Sequence, residues 1–241
     1  MTSYEIFKVK DKTDINHKEM PIWNLPFRLL INGKSQLSGK TTVLLNLLMN
    51  PAFGYDKVFE NGSDIYIISN NRLDNKLKIL MDYKDIPAEN LMPYDETDLE
   101  NLYEELEEKY QEEMSQDGKA KNRIILFDDV GASGSLKNKN YGIITKLISQ
   151  GRHLNLSQCY LVQRFTMLST TIRANITGAI LFNTSSKELD LIAEDFNYLD
   201  NKRDFIKMFR RETAKPRSFL VINFTNPNSI YMNTKFQTIE K

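Results

Sequence analysis

Apolar and polar positions follow two different periods along the chain. Short apolar runs of strand length occur at 27–32 (FRLLIN), 64–69 (DIYIIS), 123–128 (RIILFD), 157–163 (SQCYLVQ), 178–182 (GAILF) and 218–224 (SFLVINF), each bounded by polar or turn-forming residues. Three- and four-residue spacing predicts helices at 41–49, stopped by Asn50-Pro51, and at 95–117, 139–150 and 186–196. A last strand is expected at 229–233, after the turn Asn226-Pro227-Asn228. Strands alternating with helices predict an α/β fold with a mainly parallel central sheet flanked by helices. A chain of 241 residues suits one large domain with extensions. The boundaries read from the pattern are an N-terminal arm at 1–25, a core domain at 26–225 and a C-terminal extension at 226–241. Pro21, Trp23 and Cys159 are expected to pack in the core.

Charge changes this picture locally. Lys and Arg number 32 and Asp and Glu number 32, so the whole chain is not a polybasic nucleic-acid binder and any basic surface must be local. Residues 95–117 hold eleven acids against one base, Lys109, around an apolar stripe of Leu99, Leu102, Tyr103, Leu106 and Tyr110. That pattern fits a solvated surface helix or an acidic docking surface. Residues 202–217 (KRDFIKMFRRETAKPR) hold seven bases and two acids, fitting a solvated helix face or a phosphate-facing surface. One cysteine and two histidines offer neither an internal disulfide nor a zinc cluster, which implies a reducing compartment. The charged N-terminus lacks an apolar signal segment, and no run reaches membrane-span length, so neither secretion nor a membrane partner is expected.

The candidate chemistry lies in Ile31-Asn32-Gly33-Lys34-Ser35-Gln36-Leu37-Ser38-Gly39-Lys40-Thr41-Thr42. A strand ends, a loop turns and a helix begins at Gly-Lys-Thr, converging backbone N–H groups and a helix N-terminus where a polyphosphate can sit. Gly33, Ser38, Gly39, Lys40, Thr41 and Thr42 are the expected nucleotide-binding residues. Lys40 would reach the β and γ phosphates of ATP, and the Thr41 hydroxyl would ligate Mg²⁺. The P-loop pattern G-x-x-x-x-G-K-[ST] has one residue fewer between its glycines than separate Gly33 from Gly39. Either Gly33 serves with a longer loop, or Lys34 takes the first-glycine place. Asp128 closes an apolar strand, where ligands of open parallel sheets gather, and is the expected second Mg²⁺ residue. Asp129 would orient or deprotonate the attacking water, and Gln163, after the next strand, would sense the γ-phosphate or the water. Two adjacent carboxylates at one strand end repel unless a cation is near.

Beyond the P-loop, the segments Ser149-Gln150-Gly151-Arg152-His153-Leu154-Asn155-Leu156-Ser157, Gln163-Arg164, Ile172-Arg173-Ala174-Asn175-Ile176, Ala179 to Phe182 and Ser185-Ser186-Lys187 resemble the FtsK/HerA class of DNA-pumping ATPases. Within it the chain is most similar to the short genome-packaging ATPases of poxviruses, other large DNA viruses of eukaryotes and virophages, over about residues 25–225. The resemblance implies a RecA-like core, a homo-oligomeric ring (pentamer or hexamer), ATP hydrolysis coupled to translocation of double-stranded DNA, and capsid or portal-vertex partners. It also implies a cytoplasmic virus factory as the place of action. In that family an arginine of one subunit completes its neighbour's site; Arg152 is the first candidate for that catalytic role and Arg173 the second. A P-loop nucleoside or nucleotide kinase and a non-hydrolysing ATP-binding scaffold are the competing readings.

Overall fold

A computed structural model describes residues 20–34, 38–71, 74–130, 135–137 and 142–239. In chain order the elements are β1 Arg28–Asn32, α1 Lys40–Met49, α2 Tyr55–Val58, β2 Ile65–Ser69, α3 Asn75–Lys84, β3 Leu91–Met92, α4 Glu96–Asp117 and β4 Arg123–Asp128. They continue with α5 Ile143–Gln150, β5 Leu156–Val162, α6 Thr170–Asn175, β6 Gly178–Phe182, α7 Ser186–Phe196, α8 Lys202–Glu212, β7 Phe219–Asn223 and β8 Tyr231–Met232. Among the described residues these strands form one sheet in the order β3-β2-β4-β5-β1-β6-β7-β8. The first six in that order run parallel, and β7 and β8 are antiparallel. The expected α/β architecture is therefore present, with an antiparallel edge.

The strands have apolar runs because both faces of the sheet are covered. The two-residue period of a strand divides their side chains between two cores. Leu29, Ile31, Ile65, Ile67, Ile124, Leu126, Cys159, Leu161 and Ile180 face α1, α2 and α3. Leu30, Tyr66, Ile68, Ile125, Phe127, Tyr160, Val162, Ala179 and Leu181 face α4 through α8. Cys159 is fully buried, as expected. Trp23 is buried as well and donates from Nε1 to the Ile222 carbonyl at 3.0 Å, whereas Pro21 is exposed. The 1–25 stretch thus contributes Ile22, Trp23 and Leu25 to the core, and the 226–241 stretch contributes β8, paired through Met232 and Tyr231 with Val221 and Ile222.

Four elements lie where the pattern suggests none: β3, α3 and the short helices α2 and α6. β3 is only two residues long, too short to show a period. α3 buries only Leu77, Leu80 and Lys84 and leaves Ile79 half exposed, so its apolar stripe is thin; its start is fixed instead by Asp74, whose carboxylate caps the N–H groups of Lys76 and Leu77. The expected 139–150 helix begins at Ile143, with 139–141 outside the described residues. The acidic run forms α4, capped by Asp95 and buried through Leu99, Leu102, Tyr103 and Leu106. One of its acids is committed structurally: Glu113 bridges the buried Arg123 at the start of β4, and Arg123 also meets Asp64 at 3.2 Å. Removing either partner of such a buried pair leaves an uncompensated charge.

Candidate nucleotide site

β1 ends at Asn32 and the chain leaves it through Gly33, whose N–H donates to the Val162 carbonyl of β5 at 3.1 Å. A Cβ at Gly33 would stand 2.8 Å from the Cβ atoms of both Phe182 and Ser38, so no side chain fits there. Lys34 is exposed. Of the two loop alignments open in the sequence, the close approach falls on Gly33, which makes the loop one residue longer; Ser35, Gln36 and Leu37 lie outside the described residues. The Ser38 hydroxyl donates to the Lys34 carbonyl at 2.7 Å, and Gly39 takes φ 91° before α1 begins. That left-handed conformation is open to glycine at little cost and aims the helix N-terminus back across the loop. Lys40 spans the turn, its Nζ donating to the Gly33 carbonyl at 2.7 Å. Burial lowers the Lys40 pKa, against the opposing attraction of Asp128 and Asp129.

The second part of the site follows from strand period. Ile124, Leu126 and Asp128 lie on the α1 side of β4, and Cys159, Leu161 and Gln163 continue the same side of β5. Because β5 lies between β4 and β1, the ends of these three strands bring Asp128, Asp129 and Gln163 to the loop before α1. Ser38, Gly39, Lys40, Thr41, Asp128, Asp129 and Gln163 line one cleft of about 460 Å³. Gly33 lies beneath it. Thr42 is exposed, and its hydroxyl accepts from Lys76 Nζ at 2.8 Å. Asp128 is 7% exposed; burial first, and the charges of Asp74 and Asp129 next, push its carboxyl up to about 6, with Lys40 opposing them. Asp129 sits at φ 53°, a costly angle for a residue with a side chain, and Gln163 Nε2 donates to its Oδ1 at 2.7 Å.

Sequence reasoning missed the third wall of the cleft, formed by Asn71, Asp74, Asn75 and Lys76. The signal was present: Asp74 follows the strand 64–69 by a few residues and caps a helix, so it stands at the same carboxyl rim as Asp128. Asp74, Asp128 and Asp129 against Lys40 and Lys76 leave an excess of one negative charge. Such a carboxyl-rich rim fits a divalent cation. Among the described residues no group of three or more His, Cys, Asp or Glu side chains gathers as a metal cage.

The arginines are elsewhere. Arg152 lies in the short turn before β5, exposed, with Nε 3.4 Å from His153 Nε2. β5 is seven residues long, so about 20 Å of strand separates Arg152 from the rim that carries Gln163. Arg173 pairs with Asp195 at 2.7 Å and lies over the Phe165 ring, also away from the cleft.

The family described as Poxvirus A32 protein matches residues 15–238. The DNA packaging protein OPG160 of Monkeypox virus is 26% identical over 205 residues, covering 82% of this chain and 62% of that protein. The OPG160 protein of Vaccinia virus strain Copenhagen is also 26% identical over 205 residues, with 82% and 68% covered. The chain thus spans less than two thirds of the monkeypox protein's length. Among solved structures, B204, the DNA-packaging ATPase from Sulfolobus Turreted Icosahedral Virus, superposes with a TM-score of 0.56 at 16% identity, covering 83% of this chain and 93% of that one. EssC (ATPases 2 and 3) from Geobacillus thermodenitrificans gives a TM-score of 0.55 at 17% identity over 86% of this chain and 38% of its own. At those identities the likeness is one of fold alone, and none of the helices among the described residues is long and apolar enough to cross a membrane. With all but the ends of its sequence matched, this chain belongs to the Poxvirus A32 protein family.

Proposed function

We propose that the chain is an ATP-hydrolysing motor that drives double-stranded DNA into a viral capsid, working as a homo-oligomeric ring at a capsid or portal vertex in the host cytoplasm. The observation that carries this reading is the convergence of Lys40, Asp128, Asp129 and Gln163 from β1, β4 and β5 on one cleft. Support also comes from the relatives, whose names describe DNA packaging. On binding ATP, Lys40 Nζ exchanges the Gly33 carbonyl for the β and γ phosphates, and the N-terminus of α1 with Gly39 and Ser38 surrounds the phosphate chain. Thr41 and Asp128 would hold Mg²⁺, which would supply positive charge against that developing on the phosphate oxygens. Asp129 takes the proton of the attacking water. Gln163 holds Asp129 through the 2.7 Å bond and reports the state of the γ-phosphate to the loop that follows β5.

Arg152 acts in the neighbouring subunit's site. Its distance from its own rim, about 20 Å along β5, and its exposure favour action in trans over action in cis. The ring and the shared site stand or fall together. Steady-state phosphate release, with and without duplex DNA and across protein concentrations, tests the proposal. Release stimulated by duplex and rising faster than linearly with concentration is expected. Phosphorylated nucleoside would identify a kinase, and ATP bound without turnover a scaffold.

A further inference from the structure

Five cations crowd the same carboxyl rim just beyond the nucleotide cleft. Lys34 follows β1, Arg164 follows β5, and Lys187 opens α7 after β6. Lys215 and Arg217 precede β7, whose antiparallel pairing sets Phe219 beside Phe182 at the carboxyl end of β6. Lys34, Arg164 and Lys187 line a cleft of about 500 Å³ that also includes Gln163. Lys34, Lys215 and Arg217 line an adjoining one of about 550 Å³ that also includes Ser38. All five are exposed, and among the described residues none makes an ion pair. Glu188 is the acid lining the first of these clefts, with one oxygen accepting from the Thr184 hydroxyl at 2.6 Å.

α8, the more basic segment by sequence, is different. Lys202 pairs with Glu194 at 3.0 Å, Lys207 with Asp204 at 3.6 Å and Arg211 with Glu212 at 2.8 Å, while Arg203 and Arg210 make no ion pair among the described residues. Most of its charge is compensated within its own fold. Among the described residues the rim cations make no such pairs, and five of them against Glu188 leave an excess of positive charge for an anion from outside. They are carried by the consecutive strands β5, β1, β6 and β7, three interstrand steps or about 14 Å in all, close to the opening of about 12 Å of a duplex major groove. We infer that this row, Lys34, Arg164, Lys187, Lys215 and Arg217, is the surface that grips the phosphate backbone of duplex DNA. The inference rests on the packaging reading and gives it an address. It also gives a route between the ligands, because Arg164 is the peptide neighbour of Gln163 and Gln163 holds Asp129. Contacts of this kind read charge and not sequence, as a motor passing a whole genome requires.

The test compares the full chain with the variant Arg164→Glu/Lys187→Glu/Lys215→Glu, using anisotropy of a labelled random-sequence duplex over a salt series and, in parallel, affinity for a fluorescent ATP analogue. Three lost phosphate contacts should reduce the log-log salt slope by about 2.7 and weaken duplex binding on the order of 10²-fold near 0.1 M salt. Affinity for the ATP analogue should stay within about twofold, since Arg164, Lys187 and Lys215 lie outside the phosphate-binding loop. A variant that binds duplex with the parent's affinity and slope overturns the inference while leaving the packaging reading intact. Loss of ATP-analogue binding with duplex binding unchanged would reassign the row to the nucleotide. A larger loss from Arg203→Glu/Arg210→Glu would move the grip to α8. If the parent itself binds no duplex, the packaging reading fails and takes this surface with it.

Discussion

Asp128 is held in a state that disfavours folding, and removing its charge should stabilise the apoprotein while disabling it. Its carboxyl stands at about 6 in the folded chain against an ordinary value of 3.8. At 1.36 kcal/mol for each tenfold change in proton affinity, that difference corresponds to about 3 kcal/mol. The sign follows from proton linkage. Below pH 3.8 the carboxyl is protonated in both states and contributes nothing. Between 3.8 and about 6 the unfolded chain gives up the proton first, so stability falls as pH rises, and above that window the full deficit is present. Asp128→Asn keeps the shape and cannot ionise. It should match the parent near pH 4 and exceed it by up to about 3 kcal/mol at pH 7.5. For a chain of this length that is about 6–12 °C in Tm, measurable by calorimetry with a chelator present. Adding Mg²⁺ and an ATP analogue should stabilise the parent more than the variant, and Mg²⁺-dependent turnover should be lost. A stability difference that is the same at pH 5 and pH 8, or a variant no more stable than the parent, would refute the argument.

Lys40→Ala should abolish phosphate release with little change in the circular-dichroism spectrum, because among the described residues the ammonium's hydrogen bond is to the Gly33 carbonyl and it fills no apolar core; near-normal turnover would contradict the P-loop assignment. Asp129→Asn should retain nucleotide binding and slow single-turnover hydrolysis, and parental rates would transfer the water-activating role to another group. Arg152→Ala should oligomerise and bind ATP yet be nearly inactive, since a trans arginine contributes on the order of 10³ to 10⁵ in turnover in P-loop systems. Mixing it with Lys40→Ala protein should restore part of the activity at interfaces that join an intact loop to an intact arginine. A mixture that stays inactive while Arg173→Ala gains activity in the same assay would replace Arg152 by Arg173.

What could be read from the chain and what could not divide along physical lines. A strand buried on both faces announces itself as an apolar run, so β4 and β6 carry the expected limits. Asp128 was legible because it ends such a run, and Lys40 because only glycine before a helix start permits its turn. The strand order was not legible, since pairing is set by crossovers and covering helices and not by the runs themselves, yet it decides the chemistry: β5 between β4 and β1 is what lets Gln163 reach Asp129. Asp74 escaped notice because its helix buries so few residues, although it raises the Asp128 carboxyl more than Asp129 does. The basic segment at 202–217 divides in a related way: much of the α8 charge is paired, whereas Lys215 and Arg217 stay exposed before β7. Composition counts charges, whereas binding depends on charges left unpaired after folding. Lys202, Lys207 and Arg211 are spent on neighbours, while Lys34, Arg164 and Lys187, scattered across the sequence, are gathered by the parallel strands into one cleft. A parallel sheet makes this a general consequence: every parallel strand discharges its loop at the same rim, so residues far apart in sequence meet there.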